Sequence, residues 1–184
     1  MRKSRDQIYD ELLVVKCQAG DRDAFEELVV RWQKRLWHYA FRATGSEPAS
    51  WDIVQETWIG IIKSIRKLED SAVFPKWAFK ILNNKCTDWL RKRQRQSSLN
   101  GKLVELDQSE FGQKQNSSEK VESLWAAVEK LSPDRKALLT LRYHEDFDIN
   151  QIAEILNVPE GTVKSRLHRT LNELRQIMGR NQNA

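Results

Sequence analysis

Cysteine, glycine and proline are all scarce in this sequence. Two cysteines, Cys17 and Cys86, stand far apart among 184 residues that hold only three histidines, and neither shows CxxC or CxxxH spacing. A disulfide framework and a zinc site are therefore not indicated, and both thiols are expected to be buried or half-buried. Seven glycines and four prolines leave hairpin turns scarce and supply no glycine-rich phosphate loop, a composition that favours helices. Absent too is any stretch near the ~18 apolar residues of a membrane span, which excludes stable membrane insertion. The basic start Met1-Arg2-Lys3-Ser4-Arg5-Asp6 leads into no pure apolar run or small-residue cleavage site, so no secretory signal is read and cytoplasmic residence is expected. No nucleophile constellation, metal cluster or phosphate loop points to an enzyme, a bound metal or a cofactor. What the chain does have is charge. Lys and Arg total 31 against 26 Asp and Glu, a net +5, which favours a polyanionic partner.

Apolar spacing predicts a succession of helices. Ile8, Leu12, Leu13 and Val15 suggest a short helix stopped by Gly20. Asp23 with Glu26 reads as a capping box opening a second helix, whose face carries Phe25, Leu28, Val29, Trp32, Leu36 and Tyr39. Gly45 and Pro48 close it. A third helix, from about Ala49 to Lys67, places Trp51, Val54, Trp58, Ile61, Ile62 and Ile65 on an apolar side and Asp52, Gln55 and Glu56 on another. After a turn from Leu68 to Val73, Pro75 suits the first turn of a fourth helix with Trp77, Ala78, Ile81, Trp89 and Leu90 as its apolar residues. That helix ends in the basic run Arg91-Lys92-Arg93-Gln94-Arg95. Periodicity is lost from Gln96 to Glu119, an acidic, Ser- and Gln-rich stretch read as a linker. It resumes at Val121, and Ser132-Pro133 offers a cap and a first helical residue to the helix through Tyr143.

The last segment has the form of a helix-turn-helix. Ile149, Ile152, Ala153 and Leu156 make a short amphipathic helix with Asp148 at its N-cap, Asn157 supplies the turn, and Val163, Leu167, Leu171 and Leu174 form the buried side of a second helix. Lys164, Ser165, His168 and Arg169 lie largely opposite, where donors can meet base edges and phosphates in a major groove. Gly161 and Thr162 at the helix start allow a phosphate to approach the backbone. The stretch Gln151-Ile152-Ala153-Glu154-Ile155-Leu156-Asn157-Val158-Pro159-Glu160-Gly161-Thr162-Val163-Lys164-Ser165-Arg166-Leu167-His168-Arg169 resembles the minus-thirty-five-reading helix-turn-helix of bacterial sigma factors of the extracytoplasmic-function (ECF) class. Response-regulator output domains carry similar elements, so the amino-terminal half decides.

That half also resembles the family. Gly20 to Val29 is similar to its second helix, and Asp52-Ile53-Val54-Gln55-Glu56 matches the D-x-x-Q-E signature of its third. By this resemblance Asp52, Gln55 and Glu56 dock on the clamp helices of the largest subunit of core RNA polymerase, an acidic and amide surface against a basic one. Phe74, Trp77, Ile81, Asn84, Asp88 and Arg91 match F-x-x-W-x-x-x-I-x-x-N-x-x-x-D-x-x-R, the family's minus-ten-reading segment. The resemblance gives Lys76, Trp77, Lys80, Asn84 and Arg91, with the loop before them, the task of holding melted DNA, since unstacked bases are captured on aromatic faces while cations hold the backbone. Arg91, Lys92, Arg93 and Arg95 are expected on phosphates, and Trp32, Trp37 and Trp89 in the core. Thr162, Lys164, Ser165, His168 and Arg169 are the expected minus-thirty-five contacts.

The expectation is an all-α protein of two small helical domains joined by a flexible linker. Residues 1–95 form the polymerase-binding and minus-ten-melting domain, 96–120 the linker, and 121–184 the domain that reads the minus-thirty-five element, and the resemblance implies that the chain meets the clamp helices of the largest polymerase subunit and the flap of the second-largest. Two departures from the family pattern are tolerable. Phe147-Asp148 and Asn157 replace the usual Leu-Ser and turn Gly, and Ala78 and Leu82 exchange the usual Leu and Ala. Partners implied are core polymerase, promoter DNA as duplex and as melted strand, and an anti-sigma factor that masks both DNA surfaces. The rival reading is a stand-alone helix-turn-helix regulator, which predicts a homodimer and a palindromic site.

Overall fold

The computed structural model describes residues 4–100 and 119–181. Among them, α-helices alternate with short turns and no strand occurs: α1 (Arg5–Gln18), α2 (Arg22–Thr44), α3 (Glu47–Ser64), α4 (Phe74–Asn100), α5 (Glu119–Glu129), α6 (Pro133–Leu139), α7 (Ile149–Leu156) and α8 (Glu160–Asn181). They group into two compact units, one built on α1–α4 and the other on α5–α8. Helix α4 continues to Asn100, past the expected linker start at 96. The rest of that expected linker falls mainly on residues 101–118, outside the described residues.

Helix ends follow local chemistry. Ser4 and Gln7 form a reciprocal capping box on α1. At its other end Gly20 adopts φ +92°, and the Gly20 and Asp21 N–H groups donate to the Cys17 and Lys16 carbonyls at 3.0 and 3.1 Å. That pair of bonds is a Schellman motif, which requires the left-handed conformation glycine adopts without strain. Helix α2 is capped two residues before the expected Asp23–Glu26 box, and by a single bond. Asp21, not Asp23, accepts from the Ala24 N–H at 3.1 Å, because the Schellman turn delivers Asp21 directly to the N-cap of the next helix. Between α3 and α4 the chain makes two single 3₁₀ turns, Ile65–Lys67 and Ser71–Val73. Asp70 caps the second by accepting from the Ala72 N–H at 2.9 Å. Gln18 ties α1 to the first by donating to the Ile65 and Leu68 carbonyls at 2.9 and 2.6 Å.

The first unit's core runs from Leu13 and Val14 on α1 through Leu28, Trp32, Leu36 and Tyr39 on α2 to Ile61, Phe74, Phe79 and Leu82, all fully buried or nearly so. Edge-to-face pairs lock it: Trp32 with Phe74 at 5.3 Å between centroids and 88°, and Tyr39 with Phe79 at 5.5 Å and 89°. Each such pair contributes about 0.5–1.5 kcal/mol beyond its burial. The Tyr39 hydroxyl donates to Asn83 Oδ1 at 2.8 Å, so its burial leaves no orphaned phenol.

Two expected faces are rotated. On α4 the buried stripe is Phe74, Ala78, Phe79, Leu82 and Cys86, whereas Trp77, Ile81, Trp89 and Leu90 are half-buried at its margins. Trp89, expected in the core, lies instead under the Arg93 guanidinium, 5.1 Å from its ring centroid. On α3, Trp51 and Ile62 are 49% and 54% exposed rather than buried. Both cysteines are buried and free; desolvation raises the Cys17 thiol to about 11 and the Cys86 thiol to about 12.

In the second unit Ala127, Leu131 and Leu174 form a core packed by Val128, Leu139, Leu171 and Ile177. Ser132 sits at the N-cap of α6 with Pro133 following, but its hydroxyl makes no capping bond. Helix α6 passes into a π turn at Thr140–His144, and Asp146 adopts φ +58°. Asp148 then opens α7 with a reciprocal capping box to Gln151, and Asn157 ends it at φ 53°, ψ 50°. Asn is one of the few residues with a side chain that visits this left-handed region readily, so the turn forms without the family's usual glycine.

Candidate nucleic-acid interface

Helix α3 buries Ile53, Val54, Thr57, Trp58 and Ile61, and this phasing leaves Asp52, Gln55 and Glu56 together on the exposed side. Trp51, Ile59 and Ile62 flank them as exposed apolar groups, so the surface is mixed rather than purely polar. Glu56 is engaged across helices. Lys85 Nζ on α4 donates to its Oε2 at 2.9 Å, a contact the sequence reading did not anticipate.

On α4 the expected residues follow the helical period. Lys80, Asn84 and Arg91 are exposed, Lys76 and Trp77 are half-buried, and positions 77, 80, 84, 88 and 91 share one face. Trp77 is steadied by Phe74, 6.2 Å away between ring centroids, and keeps part of its indole accessible. Arg91 faces Asp88 at 3.9 Å, with side chains 68% and 62% exposed; a pair that exposed binds weakly and leaves the guanidinium available to a phosphate. Aromatic face, amide and cations thus stand in line on a helix whose other side is core.

On α8, Val163, Leu167, Thr170 and Leu174 are buried, and Lys164, His168 and Arg169 are exposed, with Thr162 and Ser165 half-buried beside them. The Ser165 hydroxyl donates to the Thr162 carbonyl at 3.0 Å, and Arg169 Nη2 reaches toward Ser165 Oγ at 3.5 Å. Glu160, in the first turn, accepts from Asn150 Nδ2 at 3.2 Å and lies 3.8 Å from Lys164 Nζ, joining the helix start to α7. A Cβ added at Gly161 would meet nothing within 4 Å, so packing within the chain does not demand this glycine and the backbone there is open to an approaching group. Sequence reasoning missed Asn172 and Arg175, which continue the face of His168 at steps of four and three residues. Asn172 Nδ2 lies 2.9 Å from His168 Nε2, and Arg175 Nη1 donates to Asn172 Oδ1 at 2.8 Å.

Comparison with known proteins agrees with this layout. The family model "Sigma-70 region 2" matches residues 28–96 and "Sigma-70, region 4" matches residues 122–174, together more than half of the chain. The ECF RNA polymerase sigma factor SigW of Bacillus subtilis (strain 168) is 25% identical over 174 residues, covering 89% of this chain and 93% of that protein. An ECF RNA polymerase sigma-E factor of Haemophilus influenzae is 29% identical over 175 residues, covering 89% and 92%. In fold, the chain is similar to the sigma factor RpoE in its co-crystal structure with the anti-sigma factor NepR from Bartonella quintana, with a TM-score of 0.71 at 24% identity over 84% of this chain and 96% of that one. It is also similar to CnrH in complex with the cytosolic domain of CnrY, with a TM-score of 0.64 at 19% identity over 93% and 97%. Among the described residues no helix is long and apolar enough to cross a membrane. With region 2 and region 4 both matched, in order, on the helices that carry the two sets of motifs, the chain belongs to the ECF sigma factors of the sigma-70 family.

Proposed function

We propose that this chain binds core RNA polymerase in the cytoplasm and directs initiation at promoters with a two-part signal, without enzymatic chemistry of its own. Asp52, Gln55 and Glu56 dock on the clamp helices of the largest subunit, and the α5–α8 unit meets the flap of the second-largest. Thr162, Lys164, Ser165, His168 and Arg169 read the minus-thirty-five duplex, cations on phosphates and polar groups on base edges. On α4, Trp77 offers a stacking face to an unpaired base, Asn84 pairs with a base edge, and Lys76, Lys80 and Arg91 hold the phosphates of the opened strand. The sigma factor RpoE, of similar fold, was solved with the anti-sigma factor NepR, and a protein of that kind is the expected inhibitor here.

One arrangement carries this reading: each motif set occupies the exposed side of a helix whose opposite side is core, so the contacts come from rigid elements. Run-off transcription with bacterial core polymerase, with and without the chain, on promoter fragments from the source genome tests it. Initiation at a shared two-part motif is expected. Failure to initiate, with tight binding of a palindromic duplex by a homodimer of the chain alone, would instead make it a stand-alone helix-turn-helix regulator.

A further inference from the structure

His168 is the one imidazole on the α8 face, and what it offers to DNA depends on which ring nitrogen carries the proton. Its neighbours decide this. The Arg175 guanidinium has donors only, so the Asn172 amide must turn its oxygen toward it, as the 2.8 Å contact from Nη1 to Oδ1 shows. The Asn172 amide nitrogen then faces His168 Nε2 at 2.9 Å. An amide nitrogen also only donates, and two N–H groups cannot bond to each other. Nε2 must therefore present its lone pair, and the proton of the neutral ring sits on Nδ1. Among the described residues His168 makes no other hydrogen bond, which leaves Nδ1–H without a protein acceptor on an exposed side chain.

We propose that Asn172 and Arg175 are positioning residues for promoter recognition: in series they fix the orientation and tautomer of His168, so that Nδ1–H is offered as a directed donor to an acceptor on duplex DNA. The inference rests on the reading of α8 as the minus-thirty-five helix. The acceptor is a base-edge nitrogen or oxygen, or a phosphate oxygen. With Asn172 gone, ring rotation and both tautomers are open, and the donor is present only part of the time.

The test uses the full chain. Long-range proton–nitrogen correlation of His168, with the pH raised until its ring is seen to be neutral, at about pH 8.5 or above, should show Nδ1 protonated in the unaltered protein. That preference should weaken in Asn172→Ala and Arg175→Ala and reverse in Asn172→Asp, whose carboxylate accepts from Nε2–H. In run-off transcription with core polymerase, Asn172→Ala should lower use of a promoter with an intact minus-thirty-five element by about 2- to 10-fold, the range of one neutral hydrogen bond. The same change made in a His168→Ala background should add nothing. Loss confined to one base pair identifies a base-edge acceptor, whereas an equal loss on all sequences with a shallower salt dependence identifies a phosphate; either outcome supports the proposal. A protonated Nε2 in the unaltered protein, or an undiminished effect of Asn172→Ala without His168, overturns it. Silence of His168→Ala beside a loss in Arg169→Ala also overturns it but leaves the recognition helix standing. Silence of both variants would remove the promoter-reading role of α8 itself.

Discussion

Replacing Glu56 by Gln keeps the shape of the side chain and removes one negative charge, which separates two roles the carboxylate could have. Within the free chain its contact is Lys85 Nζ at 2.9 Å, with side chains 61% and 39% exposed. A pair that open to solvent contributes about 0.2–1 kcal/mol. For a unit of this size 1 kcal/mol moves the melting temperature by about 4–8 °C, so neither Glu56→Gln nor Lys85→Met should shift it further. In the proposed docking on polymerase the same carboxylate would be desolvated against a basic helix, and removing its charge there should cost about 2 kcal/mol or more, about 30-fold in Kd. Lys85→Met should act in the opposite direction. It releases Glu56 from an internal competitor, so affinity for polymerase should hold or tighten by up to about fivefold, the value of the pair.

The assay is an anisotropy titration of the labelled chain with core polymerase at two salt concentrations, on both single variants and the double. Glu56→Gln should weaken binding and flatten its salt dependence, because one charge fewer is left to be screened. The double variant should match Glu56→Gln. If instead Lys85→Met weakens binding as much as Glu56→Gln, and the double variant is no worse than either, the carboxylate serves only the internal pair. The polymerase contact would then have to be assigned elsewhere on α3.

Leu82 is fully buried beside Ala78, and Leu82→Ala should destabilise the first unit by about 2–5 kcal/mol; adding Ala78→Leu returns the lost volume and should recover part of that in a urea titration followed by tryptophan emission. Asn157 at φ 53° predicts a near-silent Asn157→Gly and a loss of about 1–2 kcal/mol for Asn157→Val, read as the unfolding midpoint of the α5–α8 unit. The buried thiols give a signed pH dependence. Cys86 stays protonated up to about 12 and Cys17 up to about 11, against an ordinary 9.0, so the unfolded chain loses its thiol protons first. Their contribution is complete below pH 9 and lost as pH rises toward 11–12. Alanine at both positions should flatten that alkaline decline, and native-state labelling with a thiol reagent at pH 8 should be slow until denaturant is added.

Local chemistry was legible in the sequence where a short stretch decides the conformation. Gly20, Asp148 and Asn157 each stop or start a helix as their positions suggest, because a left-handed residue or a capping oxygen acts within one turn. The errors lie where neighbours at a distance decide. Trp77, Ile81, Trp89 and Leu90 outweigh Ala78 and Cys86 in bulk, yet the smaller residues, with Phe74, Phe79 and Leu82, are the buried ones. A long helix with a wide apolar arc does not reveal from composition which edge meets its partners. The candidate surfaces divide along the same line. Asp52, Gln55 and Glu56 are visible as a motif, but Lys85 stands 29 residues from Glu56, and only the register of α3 on α4 brings them together. The spacing of His168, Asn172 and Arg175 is helical and readable. Its chemical meaning is not, since it rests on which way one amide turns, and a guanidinium three residues further on decides that.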